Sequence, residues 1–253
     1  MSEKRIISDA EIEELLEEFN PSELDSAMSR MCPFYKNGDT ELTSVYGSIH
    51  RFVQSRLLAK LQLKLDDLSI AGELRGDDGE RIDGIVTKYR VALNGKKVEI
   101  LTENGEETHE VAVLEVKTGS FGPLQPAAYA HQWGLPVIVI EIKTEDVHLV
   151  DQQTASKFLS EAASHMENME NLKDEGQKIP DYYQCKDCRN TNCEYSRDDE
   201  NNTGNDAIKK KSEILENLDN ATEKTVSTIR EILEESDYTS TIQSSESQEV
   251  LEK

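Results

Sequence analysis

The chain has 253 residues, of which 51 are acidic and 28 basic, for a net charge of −23. At 36% apolar and 31% charged it has a globular composition, and its longest apolar run, Leu135 to Ile140, falls far short of the roughly 18 residues of a membrane-spanning helix. The acidic balance argues against non-specific adhesion to nucleic acid, where each phosphate contact needs a protein cation, and Met1 to Glu18 lack the basic and apolar segments of a secretory leader, so a cytoplasmic protein is expected.

In chain order, Ser8 precedes a helical segment whose apolar face is Ile12, Leu15, Leu16 and Phe19, ended by Asn20-Pro21. Ser22 caps a short helix to about Arg30, and Cys32-Pro33-Phe34-Tyr35 breaks the chain. A long amphipathic helix follows from Thr43 to about Leu65, carrying Val45, Tyr46, Ile49, Phe52, Val53, Leu57, Leu58 and Leu61. After Asp66 the apolar period changes from 3.6 to 2, and strands are predicted over 69–75, 82–93, 96–101 and 108–117. Asn94-Gly95 and Asn104-Gly105 mark two turns. Either the four strands form a meander, or a hairpin protrudes over 94–107 while the strands flanking it pair.

Gly119, Gly122 and Pro123 then break the chain, and Pro123 or Pro126 can open a helix through Trp133. Val137 to Ile142 reads as a buried strand and Val147 to Val150 as a shorter one. Thr154 to Asn171 forms an amphipathic helix with Phe158, Leu159, Ala162, Met166 and Met169. The expected fold is α/β, a mixed central β-sheet flanked by helices. From Asp198 to Lys253 there are 15 acids and 6 bases, with no proline, and a Ser/Thr/Gln-rich close. This stretch reads as a largely disordered acidic tail, appended to a domain over 1–197. Ile208, Ile214, Leu215, Leu218, Ile229, Ile232 and Leu233 recur in it at helical spacing, and an amphipathic helix there would suit a protein partner.

The basic clusters Arg51, Arg56, Lys60, Lys64 and Lys88, Arg90, Lys96, Lys97 are the sort usually found on solvated faces. The cysteines are more specific. Cys185, Cys188 and Cys193 are closely spaced after Pro180, and Cys32 lies far upstream. In an intracellular chain such spacing points to metal or redox chemistry. Four thiolates suit an iron–sulfur cluster, which would staple the two ends of the folded region together, and zinc is the competing ion.

On the strand Val113-Leu114-Glu115-Val116-Lys117, Glu115 and Lys117 project to one face, and Asp83 is embedded among Ile82, Ile85 and Val86. Carboxylates in apolar strands are costly to bury without a cation, and two of them on neighbouring strands can hold a hard divalent ion. Gln125 and Tyr129, an i, i+4 pair, share a face of the helix that follows.

Taken in order, Gly47-x2-His50, the Asp83 strand, Glu115-Val116-Lys117 and Gln125-x3-Tyr129 resemble the motifs of RecB-type nucleases of the PD-(D/E)XK superfamily. Pro21-Ser22-x-Leu24 with Cys32-Pro33-Phe34-Tyr35, and Cys185-x2-Cys188-x4-Cys193, narrow the resemblance to the CRISPR-associated RecB-like iron–sulfur exonucleases. AddB and Dna-two type nuclease domains share the cysteine arrangement inside longer chains. The resemblance covers about residues 20 to 195. It implies a restriction-endonuclease-like core with iron–sulfur-stapled termini. His50, Asp83, Glu115 and the Val116 carbonyl would ligate magnesium or manganese, and Lys117 would orient or activate the attacking water. Gln125 and Tyr129 would position the nucleic acid, and Cys32, Cys185, Cys188 and Cys193 would bind a four-iron four-sulfur cluster. The acidic tail and an extra hairpin between Asp83 and Glu115 depart from the family pattern.

The expected function is divalent-metal-dependent DNA exonuclease activity on single-stranded ends in CRISPR spacer acquisition, with DNA and the adaptation integrase complex as partners. A free-standing repair or recombination nuclease and a non-catalytic DNA-binding scaffold are the alternatives. The intact set of His50, Asp83, Glu115 and Lys117 speaks against the scaffold.

Overall fold

The computed structural model describes residues 9–18, 21, 24, 32, 34, 41–75, 81–94, 97–101, 111–118, 122–176, 188, 190, 192–194, 214 and 216–233. The helix expected from Ser22, the Asn104-Gly105 turn and Cys185 lie outside them, apart from Leu24. The chain divides into two compact units. One comprises Met1–Arg51, Phe121–Gly134 and Val150–Glu213, and the other Phe52–Ser120, Leu135–Leu149 and Ile214–Lys253.

The first unit is helical. It holds α1 (Asp9–Glu18), the start of α2 (Glu41–Lys64), α3 (Leu124–Trp133) and α4 (Gln152–Asp174). α4 turns Ala155, Leu159, Ala162 and Met166 inward at helical spacing and packs against both α3 and α1, whose Ile12 and Leu15 are buried. The helix starts two residues before the expected Thr154, because Asp151 caps it by accepting the Thr154 N–H at 2.7 Å. Gly134 ends α3 in the left-handed conformation that glycine adopts without strain.

The second unit is built on a mixed sheet of order β1-β2-β5-β6-β7, from β1 (Ser69–Arg75), β2 (Arg81–Thr87), β5 (Val111–Lys117), β6 (Val137–Glu141) and β7 (Asp146–Val150). β2 pairs antiparallel with β1 and β5, and β5 pairs parallel with β6. The long strand expected over 82–93 is two strands. Thr87 Oγ1 accepts the Tyr89 N–H at 3.1 Å, turning the chain into β3 (Arg90–Asn94), which pairs with β4 (Lys97–Leu101) in a two-stranded sheet. Neither pairing left open by the turn signals is taken as expected: the hairpin spans 90–101 across Asn94-Gly95 instead of 94–107, while β2 and β5 on either side of it pair with each other.

One face of this sheet meets α2. A Cβ on Gly72 or Gly84, which are cross-strand partners, would run into the Leu58 side chain. Gly84 pairs with Leu114, so alternation puts Ile82, Val86, Ala112 and Val116 on the same side. Asp83, Ile85, Val113, Glu115 and Lys117 take the opposite face, joined in register by Val137, Val139 and Glu141.

Part of the stretch read as an appended tail belongs to this unit. Residues 216–233 form a helix, α5, with Leu218, Ala221, Thr222, Thr225, Ile229 and Leu233 buried. Lys60 and Lys64 of α2 pair with Asp219 and Glu223, and Arg230 pairs with Asp67 at 3.2 Å. Asn217 donates to the Lys143 carbonyl at 2.9 Å, and Leu233 O accepts from Lys88 at 3.4 Å. The expectation of a solvated tail weighed its acidity. Its periodic aliphatics decide the outcome, because their burial outweighs the exposed charge. The acids at 219 and 223 meet cations of α2. Residues 198–213 and 234–253 are outside the described residues.

Candidate active site

The β2–β5 ladder ends at Gly84↔Leu114. One step further, where Asp83 and Glu115 stand on neighbouring strands, a side chain replaces the backbone pairing: Asp83 Oδ2 accepts the Val116 N–H at 2.8 Å. That bond fixes the carboxylate against β5. On the other side of the same residue, the Asp83 carbonyl accepts from Gln54 Nε2 at 3.2 Å. Gln54 is 2% exposed, and its amide ties α2 to this point of β2. Asp83 and Glu115 are both buried, at 9% and 4% exposure.

Lys117 follows Glu115 by one pleat and its Nζ donates to Glu115 Oε1 at 2.8 Å. The ammonium is less buried than the carboxylate it touches, so the pair opens toward the end of the strand. In register with Lys117 on β6 is Glu141, also buried at 9% exposure, with His148 Nε2 at 3.8 Å from its Oε2. Three carboxylates and one lysine therefore share a single sheet face. Removing charge from water is expensive, and an excess of buried negative charge favours a cation beside it.

The oxygen atoms on this face could serve a hard divalent ion. Carboxylate oxygens and a neighbouring backbone carbonyl suit magnesium or manganese, and no soft ligand stands among them. Among the described residues, no three His, Cys, Asp or Glu side chains already meet around one point as a bound ion requires. Asp83 and Glu115 could supply two oxygen donors to such an ion.

The other residues singled out in the sequence lie in the helical unit. His50 is half-buried on α2, one turn before Gln54. Gln125 Nε2 donates to the Tyr129 hydroxyl at 3.0 Å on α3, so the i, i+4 pair expected from their spacing forms, with the Tyr129 ring 1% exposed. Cys32, Cys188 and Cys193 form no disulfide, and Cys188 is buried. Asn190, between the last two, donates to the Phe34 carbonyl at 2.8 Å, and its own carbonyl accepts the Cys193 N–H at 2.9 Å. That first bond joins the segment of Cys32 to the segment of Cys188 and Cys193 across 156 residues of sequence. The soft thiolates fit an iron–sulfur cluster or zinc.

Sequence reasoning passed over Gln54, Glu141, His148 and Asn190. Glu141 had a signal, a lone carboxylate inside an apolar strand. Gln54 and Asn190 had none, since a buried amide is recognised only once its partner is placed.

Compared with protein-family models, curated proteins and solved structures, the chain matches none.

Proposed function

We propose that the chain is a divalent-metal-dependent DNA exonuclease acting on single-stranded ends, with its role in CRISPR spacer acquisition taken from the ordered motifs and the cysteine spacing. One observation carries the reading: Asp83 and Glu115, buried on adjoining strands where the ladder gives way, with the Lys117 ammonium on Glu115.

A bound magnesium or manganese ion would supply the Lewis acid that polarises the phosphoryl oxygen and favours loss of a water proton. Asp83 and Glu115 would be the carboxylates that hold it. The Val116 N–H keeps the Asp83 carboxylate from rotating, and Lys117 holds Glu115 in one orientation. At the open end of the strand, the Lys117 ammonium orients the attacking water and meets charge developing on the phosphate. The resemblance assigns His50 and the Val116 carbonyl to the ion as well, and Gln125 and Tyr129 to the strand. Cys32, Cys185, Cys188 and Cys193 would hold the cluster as a staple, outside the chemistry.

End-labelled single-stranded DNA with manganese tests the reading. The parent protein digests it, while Asp83→Asn and Lys117→Ala lose about 10²-fold or more, the scale of a lost electrostatic or acid–base group. Equal digestion by parent and variants sinks the assignment. Anaerobically purified protein should be brown and contain about four irons per chain, as four-cysteine clusters of this kind do. A colourless zinc protein replaces the cluster with the competing ion.

A further inference from the structure

β2 opens on Arg81, two residues before Asp83, so both side chains leave the same face of the strand. Asp83 is buried, whereas Arg81 is exposed at the rim. The Arg81 guanidinium is paired with Glu73 of β1. Glu73 lies between the register pairs Gly72↔Gly84 and Leu74↔Ile82, directly across from Asp83. Its φ is 51°, in the left-handed region that a glutamate within a strand seldom occupies. A carboxylate from an irregular point of β1 thus sits on the one arginine that shares a face with Asp83 on β2.

We infer that Arg81 binds a phosphodiester of the substrate strand and that Glu73 is its built-in competitor. The inference rests on the nuclease reading and adds a binding contact to it. A guanidinium presents the same fork of N–H donors to a carboxylate and to a phosphate, so one displaces the other without new geometry. Both members of the pair are about half exposed, and an ion pair in that setting is weak enough to exchange. Arg81 and Asp83 are separated by about 7 Å along the strand, comparable to one nucleotide step of an extended single strand. A phosphate on Arg81 would therefore adjoin the one presented at Asp83 and Glu115.

The two residues must act with opposite sign, which no merely structural role produces. Binding of a fluorescein-labelled oligothymidylate is measured by anisotropy without divalent ions, alongside digestion kinetics with manganese. Arg81→Gln weakens binding about tenfold, the order of one charge-assisted contact, and raises KM with kcat unchanged. It also lowers the slope of log affinity against log salt by about 0.7, the value for one phosphate contact on a single strand. Arg81→Lys retains most of the salt slope. Glu73→Gln tightens binding and lowers KM. If the parent binds but both neutral variants shift affinity in the same direction, or neither shifts it, the inference is overturned and the nuclease reading stands. A parent protein that neither binds nor digests the oligonucleotide overturns both.

Discussion

Glu115 and Lys117 form an ion pair that looks, from sequence, like any strand-surface pair. Position makes the difference: Glu115 is 4% exposed, and a carboxylate that deep is stable only with cations around it. Glu141, beside Lys117 on β6, extends the negative face and holds the local field on the lysine from the other strand. Glu141→Gln keeps the side-chain volume and removes the charge. It should reduce kcat for DNA digestion about tenfold with KM little changed, less than the loss in Lys117→Ala, as expected for a group acting through a neighbour. Steady-state kinetics over substrate concentration read this directly, and an unchanged kcat would remove Glu141 from the site. The pair Asp83 and Glu115 was legible in the sequence because acids interrupt apolar strands. Glu141 interrupts its strand too, but its worth depends on a parallel register that no local pattern specifies.

The helices and strands follow from periodicity, and most of their bounds differ from expectation by only a few residues. The clearest discrepancy, the division of 82–93 into β2 and β3, comes from a single side-chain bond at Thr87 that a run of alternating residues does not reveal. Likewise, Gly72 and Gly84 read as ordinary strand glycines until α2 is laid on them. They are cross-strand partners, and their missing side chains admit Leu58. At Gly84 an added Cβ would come within 2.9 Å of the Ala71 carbonyl oxygen, which belongs to backbone and cannot step aside cheaply. Gly84→Ala should cost about 1–3 kcal/mol of stability, the range for overpacking. Because Gly84 follows Asp83, it should also depress activity at temperatures where the variant remains folded. Denaturant midpoints and digestion rates measured on the same preparation separate the two effects.

At the scale of the molecule, α5 makes an acidic carboxy-terminal stretch part of the sheet unit. Burying Leu218, Ile229 and Leu233 contributes about 1.5–3 kcal/mol each by area, as an upper estimate. The exposed ion pairs to α2 and Asp67 are worth at most about 1 kcal/mol apiece. Apolar burial therefore holds the helix, and the charges set its register. Ile229→Ala should lose about 2–4 kcal/mol, while Asp219→Asn should change the melting temperature little. The Arg230 guanidinium holds the Asp67 carboxyl below the ordinary aspartate range. A lowered carboxyl stabilises the fold above its unfolded value of about 4 and loses that contribution as pH falls through the lowered one. The small melting difference between the parent and Arg230→Gln should accordingly close in strong acid. The net charge of −23 hid this docking, since it concealed which acids meet cations. It also means that many surface carboxylates will bind divalent ions weakly, so the candidate centre must be distinguished by affinity and by residue. Titrating the protein with Mn²⁺ while following free ion by electron paramagnetic resonance does this. One tight site should be present, should disappear in Asp83→Asn and in Glu115→Gln, and should leave the weak background intact. A tight site that survives both substitutions, or a parent protein with only the weak background, would contradict the assignment of the ion to these carboxylates.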